Sequence, residues 1–159
     1  MMGYKIREIE ENEIPVLAVF LYEAIFIPEG MKPPSKDIVK QPELQVYITE
    51  FGKRTGDYCL VAEAEDEIVG AVWVRIMNDY GHVDNSTPSF AISLYKEYRG
   101  YGIGTDLMKK MLAKLKQNGY AQASLSVQKE NYAVKMYKDV GFNVIGENEE
   151  EYIMVCKLE

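Results

Sequence analysis

The segment Arg99-Gly100-Tyr101-Gly102-Ile103-Gly104-Thr105 carries the clearest chemical signal in this sequence. It lies between an apolar stretch and an amphipathic stretch, and so predicts a turn from a strand into a helix. Glycine lets the main chain approach a ligand without a Cβ in the way, and the first N–H groups of a helix carry partial positive charge. The segment therefore predicts a phosphate or pyrophosphate site, with the side chains of Arg99 and Thr105 as further donors.

The glycines alone do not identify the phosphate ligand. No Gly-Lys-Ser or Gly-Lys-Thr follows them, which disfavours a P-loop. Their GxGxG spacing after about the fourth predicted strand also differs from the GxGxxG that follows the first strand of a dinucleotide-binding unit. Two alternatives stay open at this point: a different nucleotide-binding protein, and glycines that only shape a tight connection.

A second group of motif residues lies downstream, with Asn131, Tyr137 and the pair Gly141-Phe142 after Leu125-Ser126-Val127. Together with residues 91–98 and the glycine segment, this pattern resembles the two coenzyme A motifs of the GCN5-related N-acetyltransferase (GNAT) superfamily. The motif detail covers about residues 58–146. The resemblance implies acetyl-coenzyme A as co-substrate, held by Leu94, Tyr95, Arg99, Gly100, Tyr101, Gly102, Ile103, Gly104, Thr105 and Asn131.

The resemblance also implies roles in acetyl transfer to an amine. Tyr137 stands where the family commonly has the general acid that protonates the leaving thiolate, and the alternative is a tyrosine that only packs in the core. The main chain at Leu94 would face the thioester, where an N–H group could stabilise an oxyanion. Asn131 would contact the cofactor arm, cap the following helix, or do both.

The base that deprotonates the amine is not evident in the sequence. Many family members have a glutamate near the start of the fourth strand, where this chain has Ser89-Phe90-Ala91. His82 or Asp84 acting through water, or a water chain to solvent, are the alternatives. The acidic run at 147–151 is typical of a solvated turn. The candidates for acceptor contacts are Tyr22, Glu23, Phe26, Trp73 and Arg75, and core or edge packing is the favoured alternative for Tyr22, Phe26 and Trp73.

The elements that must position these residues follow from hydrophobic periodicity and turn signals. Strands are predicted at 4–9, 58–64, 68–77, 89–95, 121–127, 142–146 and 152–158, and helices at 12–26, 42–51, 103–117 and 131–140. This order indicates an α/β (α+β) fold, and it resembles the order of elements in the GNAT superfamily. We expect one domain over residues 1–159, with a mixed, mostly antiparallel twisted sheet of about six to seven strands and about four flanking helices.

Composition limits the possible functions. The chain has 159 residues, is 47% hydrophobic and has a net charge of −7, which disfavours nucleic acid as a partner. No apolar stretch is long enough for a membrane span, and no secretory signal begins the chain, so we expect a cytoplasmic protein with reduced Cys59 and Cys156. His82 is the only histidine, so a His-rich zinc site is excluded and no metal is expected.

The sequence thus favours an acetyl-coenzyme A-dependent N-acetyltransferase that works by direct attack of a primary amine. Neither cysteine lies where a nucleophile is expected. The alternative is a non-catalytic acyl-coenzyme A-binding regulatory module on the same fold, which the missing glutamate favours. We expect the acceptor to be a small-molecule or peptide amine, which the motifs do not identify. Because dimers are common in the superfamily that this chain resembles, a homodimer is one alternative for the oligomeric state.

Overall fold

A computed structural model describes residues 3–158, which form one seven-stranded sheet with helices on both faces. In chain order the elements are β1 (Lys5–Glu8), α1 (Val16–Glu23), α2 (Pro42–Gln45), β2 (Tyr58–Ala64), β3 (Glu67–Arg75), β4 (Ser89–Leu94), α3 (Ile103–Gln117), β5 (Gln122–Gln128), α4 (Ala133–Asp139), β6 (Asn143–Glu147) and β7 (Glu151–Lys157). The predicted order of elements and the predicted fold class are confirmed. The domain prediction also includes residues 1, 2 and 159, which lie outside the described residues.

The strand order across the sheet is β1-β2-β3-β4-β5-β7-β6, and every neighbouring pair is antiparallel except β4 and β5. Side chains of one strand point alternately to its two faces. On β2, Leu60 and Ala62 pack in the cluster that contains α3, whereas Cys59 and Val61 pack in the cluster that contains α1. Two hydrophobic layers therefore enclose the sheet.

The two predicted N-terminal helices are shorter in the structure. The helix expected over 12–26 begins with a 3-10 turn at Glu11–Glu13, and α1 follows Pro15, so Asn12 does not cap it. The helix expected over 42–51 ends at Gln45. Beyond it, the Val46 and Thr49 carbonyls accept hydrogen bonds of 3.1 and 2.8 Å from the buried guanidinium of Arg75. Because Arg75 binds these carbonyls, the apolar pattern continues in turns rather than as a regular helix.

The other differences are small. α4 begins two residues later than predicted, and β5 and β6 are each shifted by one residue. α3 has the predicted bounds, because its apolar residues repeat with helical spacing and Gly119 follows it with a positive φ of 87°. No helix within residues 3–158 is long and apolar enough to cross a membrane.

The parallel pair β4–β5 separates soon after it forms. Its only register contact is Ser89 with Ser124. β4 remains paired with β3 along its whole length, from Ser89 opposite Arg75 to Leu94 opposite Gly70. Beyond Ser89, the β5-facing edge of β4 is therefore open, and this opening positions the candidate site.

Candidate active site

The glycine segment forms the turn into α3 as predicted. Gly100 and Gly102 both have φ of 86°, a conformation that glycine adopts without steric cost. A Cβ at either position would meet no atom within 4 Å, so the surface above the turn is open. Ile103 is fully buried and fixes the first turn of α3 in the core.

The main-chain donors of this turn are unpaired. Within residues 3–158, the N–H groups of residues 100–105 have no acceptor, and α3 has no side-chain N-cap. The first bond of the helix is that from the Asp106 N–H to the Gly102 carbonyl, at 3.1 Å. This concentration of N–H groups at the positive end of a helix dipole is suited to an anion.

Arg99 contacts the protein itself instead of extending freely into solvent. Its Nε donates to the Leu94 carbonyl at 3.0 Å, and its Nη2 lies 3.4 Å from the Glu23 carbonyl and 3.8 Å from the Glu23 carboxylate. Arg99 therefore ties the end of α1 to the end of β4. Its contact with the cofactor stays a prediction, and Nη1 is the guanidinium nitrogen without a partner in the described part of the chain.

The free edge of β4 offers main-chain groups to a ligand. The Tyr95 N–H donates to the Val69 carbonyl at 3.0 Å, which makes these two residues a hydrogen-bonded pair of the antiparallel ladder. Every second residue of β4 therefore bonds to β3, and the main-chain groups of Ile92 and Leu94 point away from β3. The Leu94 N–H thus faces the opening, as its predicted role requires, whereas Tyr95 has both its N–H and its carbonyl bonded within the protein.

A cavity of about 180 Å³ occupies the opening between β4 and β5. Its walls come from both faces of the sheet: α1 and the loop after it, the α2 region, the two separated strands, and α4. The lining residues are Leu21, Ala24, Ile25, Phe26, Leu44, Tyr47, Phe90, Ala91, Ile92, Leu125, Ser126, Val127, Gln128, Asn131, Tyr137 and Glu151. Gly104, in the first turn of α3, packs closely against β4 and α4, since a Cβ there would be 3.6 Å from Leu94 Cδ1 and 3.5 Å from Met136 Sδ.

Tyr137 is buried on α4 and lines this cavity. Its ring packs against Phe142 with centroids 6.2 Å apart. Its hydroxyl makes no hydrogen bond to any residue in the range 3–158. Every fully buried side-chain oxygen in that range has a hydrogen-bond partner, so the Tyr137 hydroxyl is not fully buried and reaches the cavity. Burial, followed by the charge of Tyr132, raises the pKa of Tyr137 above its usual value, which keeps the phenol protonated at neutral pH.

Asn131 also lines the cavity, and its side-chain oxygen accepts a 2.9 Å hydrogen bond from the Ala133 N–H. The capping role considered from the sequence is therefore present. Its cofactor contact stays a prediction.

A polar group that the sequence analysis missed lies at the wall of the cavity. Tyr47 and Glu151 line it, and the Tyr47 hydroxyl donates to Asp79 Oδ2 at 3.0 Å. The Ser89 hydroxyl contacts Asp79 Oδ1 at 3.3 Å. Burial raises the pKa values of Tyr47, Asp79 and Glu151, and the nearby carboxylates of Asp79 and Glu150 further raise that of Glu151.

Sequence spacing could not have found this group, because its members come from three distant segments. The acidic run at 147–151 was interpreted as a solvated turn, and this is wrong for its last residue. Glu151 begins β7 opposite Gln128 and is half-buried at the cavity. The available signal was the continuous apolar run at 152–156 directly after it, which is typical of a strand that can begin at Glu151.

The base candidates chosen from the sequence do not line the cavity. His82 Nδ1 lies 2.8 Å from the Met77 carbonyl. Asp84 accepts hydrogen bonds of 2.8 Å from the Thr87 hydroxyl and from the Ser86 N–H. Both bonds lower the pKa of Asp84, and the bond from Thr87 has the larger effect. Both groups therefore organise the loop between β3 and β4.

Two of the candidate acceptor contacts are structural. Trp73 is fully buried, and its indole donates to the Tyr47 carbonyl at 3.1 Å. Arg75 is fully buried in an ion pair of 2.8 Å with Asp57. Tyr22 donates to the Pro34 carbonyl at 2.5 Å, and Phe26 lines the cavity. The packing alternative therefore holds for Trp73, and Arg75 has a structural role as well.

Comparison with known proteins agrees with this geometry. The family model described as an acetyltransferase (GNAT) domain matches residues 23–155. The chain is 25% identical over 113 residues to human N-acetyltransferase 8B, a match that covers 70% of this chain and 50% of that protein. The chain spans half or less of the length of the curated relatives it matches.

Solved structures share the fold. An acetyltransferase-like protein from Acinetobacter baylyi superposes with a TM-score of 0.75 at 15% identity, covering 99% of this chain and 94% of the other. The paiA N-acetyltransferase of Thermoplasma acidophilum, solved in complex with coenzyme A, has a TM-score of 0.71 at 19% identity, covering 98% and 99%.

Proposed function

Because this chain belongs to the GNAT acetyltransferase family, we propose that it transfers the acetyl group of acetyl-coenzyme A to a primary amine by direct attack. The observation that carries this proposal is the row of unpaired N–H groups at residues 100–105, beside a cavity that contains an unpaired phenol. Such a row is suited to the diphosphate of coenzyme A, which supplies the activated acetyl group. The coenzyme A complex of the paiA enzyme supports the same choice of co-substrate.

The remaining steps use the free edge of β4 and the hydroxyl of Tyr137. The amide groups of the pantetheine arm can pair with the outward-facing main chain of Ile92 and Leu94, as an added strand would. The Leu94 N–H is then a donor for the oxyanion that forms on attack. Tyr137 holds the proton that the departing thiolate requires, and its raised pKa ensures that it is protonated.

Direct attack is supported by the positions of the two thiols. Cys59 and Cys156 are buried, neither lines the cavity, and burial raises the pKa of each. Since the thiolate is the nucleophilic form, these residues are unsuited to carry the acetyl group.

The test combines binding with turnover. Calorimetric titration with coenzyme A should show saturable binding, and ATP in place of coenzyme A should show none. Acetyl-coenzyme A with a panel of primary amines should then release free thiol faster than acetyl-coenzyme A alone. Binding without thiol release for any amine would favour the regulatory module, and binding of ATP alone would favour a nucleotide-binding protein.

A further inference from the structure

Glu151 is the one charged side chain among the residues that line the cavity. Its main-chain N–H is held by Asn148 Oδ1 at 2.7 Å, which fixes the residue at the start of β7. Its carboxylate has no hydrogen bond or ion pair with any residue in the range 3–158. A half-buried carboxylate without a partner is costly, and it favours a cation that enters the cavity.

Among residues 3–158, no cationic side chain forms an ion pair with Glu151. Lys129 is the nearest along the ladder, but its Nζ is 3.0 Å from Glu147 and lies over the ring of Tyr152, 5.3 Å from its centroid. Successive strand residues point to opposite faces, so Tyr152 and Lys129 lie on the face away from Glu151. The groups that act on Glu151 are the carboxylates of Asp79 and Glu150, with Tyr47 beside Asp79.

Asp79 is not an equivalent candidate. One of its oxygens accepts from Tyr47 and the other from Ser89, and Asp79 does not line the cavity. Asp79 supplies negative charge behind the cavity wall, whereas Glu151 presents carboxylate oxygens without hydrogen-bond partners at the surface of the cavity.

One part of the cavity wall is apolar. It is contributed by α1, the loop that follows it and α2, through Leu21, Ala24, Ile25, Phe26 and Leu44. A molecule bound here buries hydrocarbon against these side chains, which is favourable in proportion to its apolar area. If the bound molecule is an amine, a carboxylate close to its nitrogen would be repelled by the carboxylates of Glu151 and Asp79.

Building on the proposed acetyl transfer, we propose that Glu151 binds the ammonium group of the acceptor and takes its proton, and that the acceptor is an apolar primary amine without a carboxylate beside the nitrogen. The free ammonium has a pKa of about 10.4, so it must lose a proton before it can attack. The raised pKa of Glu151 makes this carboxylate a stronger base than an exposed glutamate.

The protons balance as follows. One N–H bond of the ammonium breaks as an O–H bond forms on Glu151, and the freed electron pair forms the new C–N bond to the acetyl carbon. The C–S bond then breaks, and the thiolate takes the Tyr137 proton. The nitrogen loses its second proton, which restores Tyr137 through water, and Glu151 returns its own proton to solvent.

The experiment compares phenethylamine with phenylalanine, which share a ring and differ by a carboxylate next to the amine. Thiol release from acetyl-coenzyme A is measured for the wild type, for Glu151→Gln and for the control Glu149→Gln, an exposed residue in the same turn. We expect the wild type to prefer phenethylamine by at least about 100-fold in kcat/KM, the scale of like-charge repulsion between a ligand and its site. In Glu151→Gln, kcat/KM for phenethylamine should fall about 100-fold and the preference should shrink to less than about tenfold.

Three further readouts exclude a merely structural role for Glu151. Calorimetry should show unchanged coenzyme A affinity in Glu151→Gln, and weaker binding of phenethylamine to the protein–coenzyme A complex. In the wild type, kcat/KM should decrease at low pH, because protonated Glu151 cannot accept a proton. The apparent pKa of this decrease should lie above the usual glutamate pKa. The decrease should be absent in Glu151→Gln. Glu149→Gln should behave as the wild type in all of these measurements.

The outcomes separate this inference from the function on which it rests. Wild-type turnover of amines with unchanged preference and pH profile in Glu151→Gln would overturn the role of Glu151 and leave the acetyl transfer standing. Wild-type preference for phenylalanine would overturn the acceptor class. Coenzyme A binding without turnover of any amine would overturn the proposed function and this inference together.

Discussion

The two halves of the candidate site are built in opposite ways. On the coenzyme side, the groups suited to an anion are main-chain N–H groups from one continuous segment, residues 100–105. On the acceptor side, the groups suited to a cation are the side chains of Tyr47, Asp79 and Glu151, from segments that are far apart in the chain. A protein of net charge −7 can therefore bind an anion through backbone dipoles while its carboxylates attract an amine.

The halves also differ in what supports them. The glycine turn depends on local backbone conformation and on Ile103 in the core. The acceptor side depends on Arg75, which holds the chain between α2 and β2 through Val46, Thr49 and Asp57. A substitution that impairs one half of the site is therefore expected to leave the binding properties of the other half intact.

The largest effect is expected for Arg75→Met. It leaves Asp57 as an unpaired buried carboxylate and frees two carbonyls, so the free energy of unfolding should fall by about 3–5 kcal/mol. Urea denaturation measures this change. At urea concentrations below its unfolding transition, Arg75→Met should keep its coenzyme A affinity and lose its amine turnover. The matched control is Lys40→Met, which breaks an exposed pair with Asp37 and should leave the denaturation midpoint unchanged. Equal midpoints for the two variants would contradict the supporting role of Arg75.

Tyr137→Phe should have the next largest effect, on chemistry alone. Loss of the proton donor should lower kcat about 100-fold while coenzyme A affinity stays at the wild-type value. Steady-state thiol release and calorimetry separate the two quantities. Tyr132→Phe is the control, since Tyr132 precedes α4 and its side chain is exposed. Wild-type kcat in Tyr137→Phe would refute the acid role.

Gly102→Val should weaken coenzyme A binding about tenfold or more, because a branched side chain disfavours a φ of 86° and covers the N–H groups of the turn. Gly119→Val provides the control. Gly119 ends the same helix with a φ of 87° and open space around it, so it carries similar backbone strain away from the site. Calorimetry should show weaker binding in the first variant only. Similar losses in both would assign the effect to strain and count against an anion site.

The smallest effect is expected for Tyr47→Phe. Asp79 loses one donor, and the cavity loses one hydroxyl, while the ring still packs in place. We expect KM for the amine to rise about two- to fivefold, the usual contribution of one hydrogen bond, with coenzyme A affinity unchanged. Tyr4→Phe, which removes a hydrogen bond to Asp106 of α3, is the control. A change in coenzyme A affinity in Tyr47→Phe would mean that the two halves are coupled.

The correct predictions from sequence share one property: their signals lie within one segment. The glycines at 100, 102 and 104 precede an apolar repeat of helical spacing, so the turn and α3 were both predictable. The helix over 42–51 had an equally apolar pattern and still ended early, because Arg75, 26 residues beyond Thr49, binds its carbonyls. Local periodicity contains no information about a distant guanidinium.

By itself, the sequence determined the order of elements, the fold class and the glycine turn into α3, since each rests on periodicity, glycine conformation or the spacing of neighbouring residues. Only the tertiary structure decided where β4 parts from β5, which side chains Arg99 and Arg75 contact, and that Glu151 faces the cavity instead of solvent. The physical reason is that burial and electrostatic environment depend on what packs nearby. For Glu151 those neighbours include Tyr47 and Asp79, which come from segments distant in the chain.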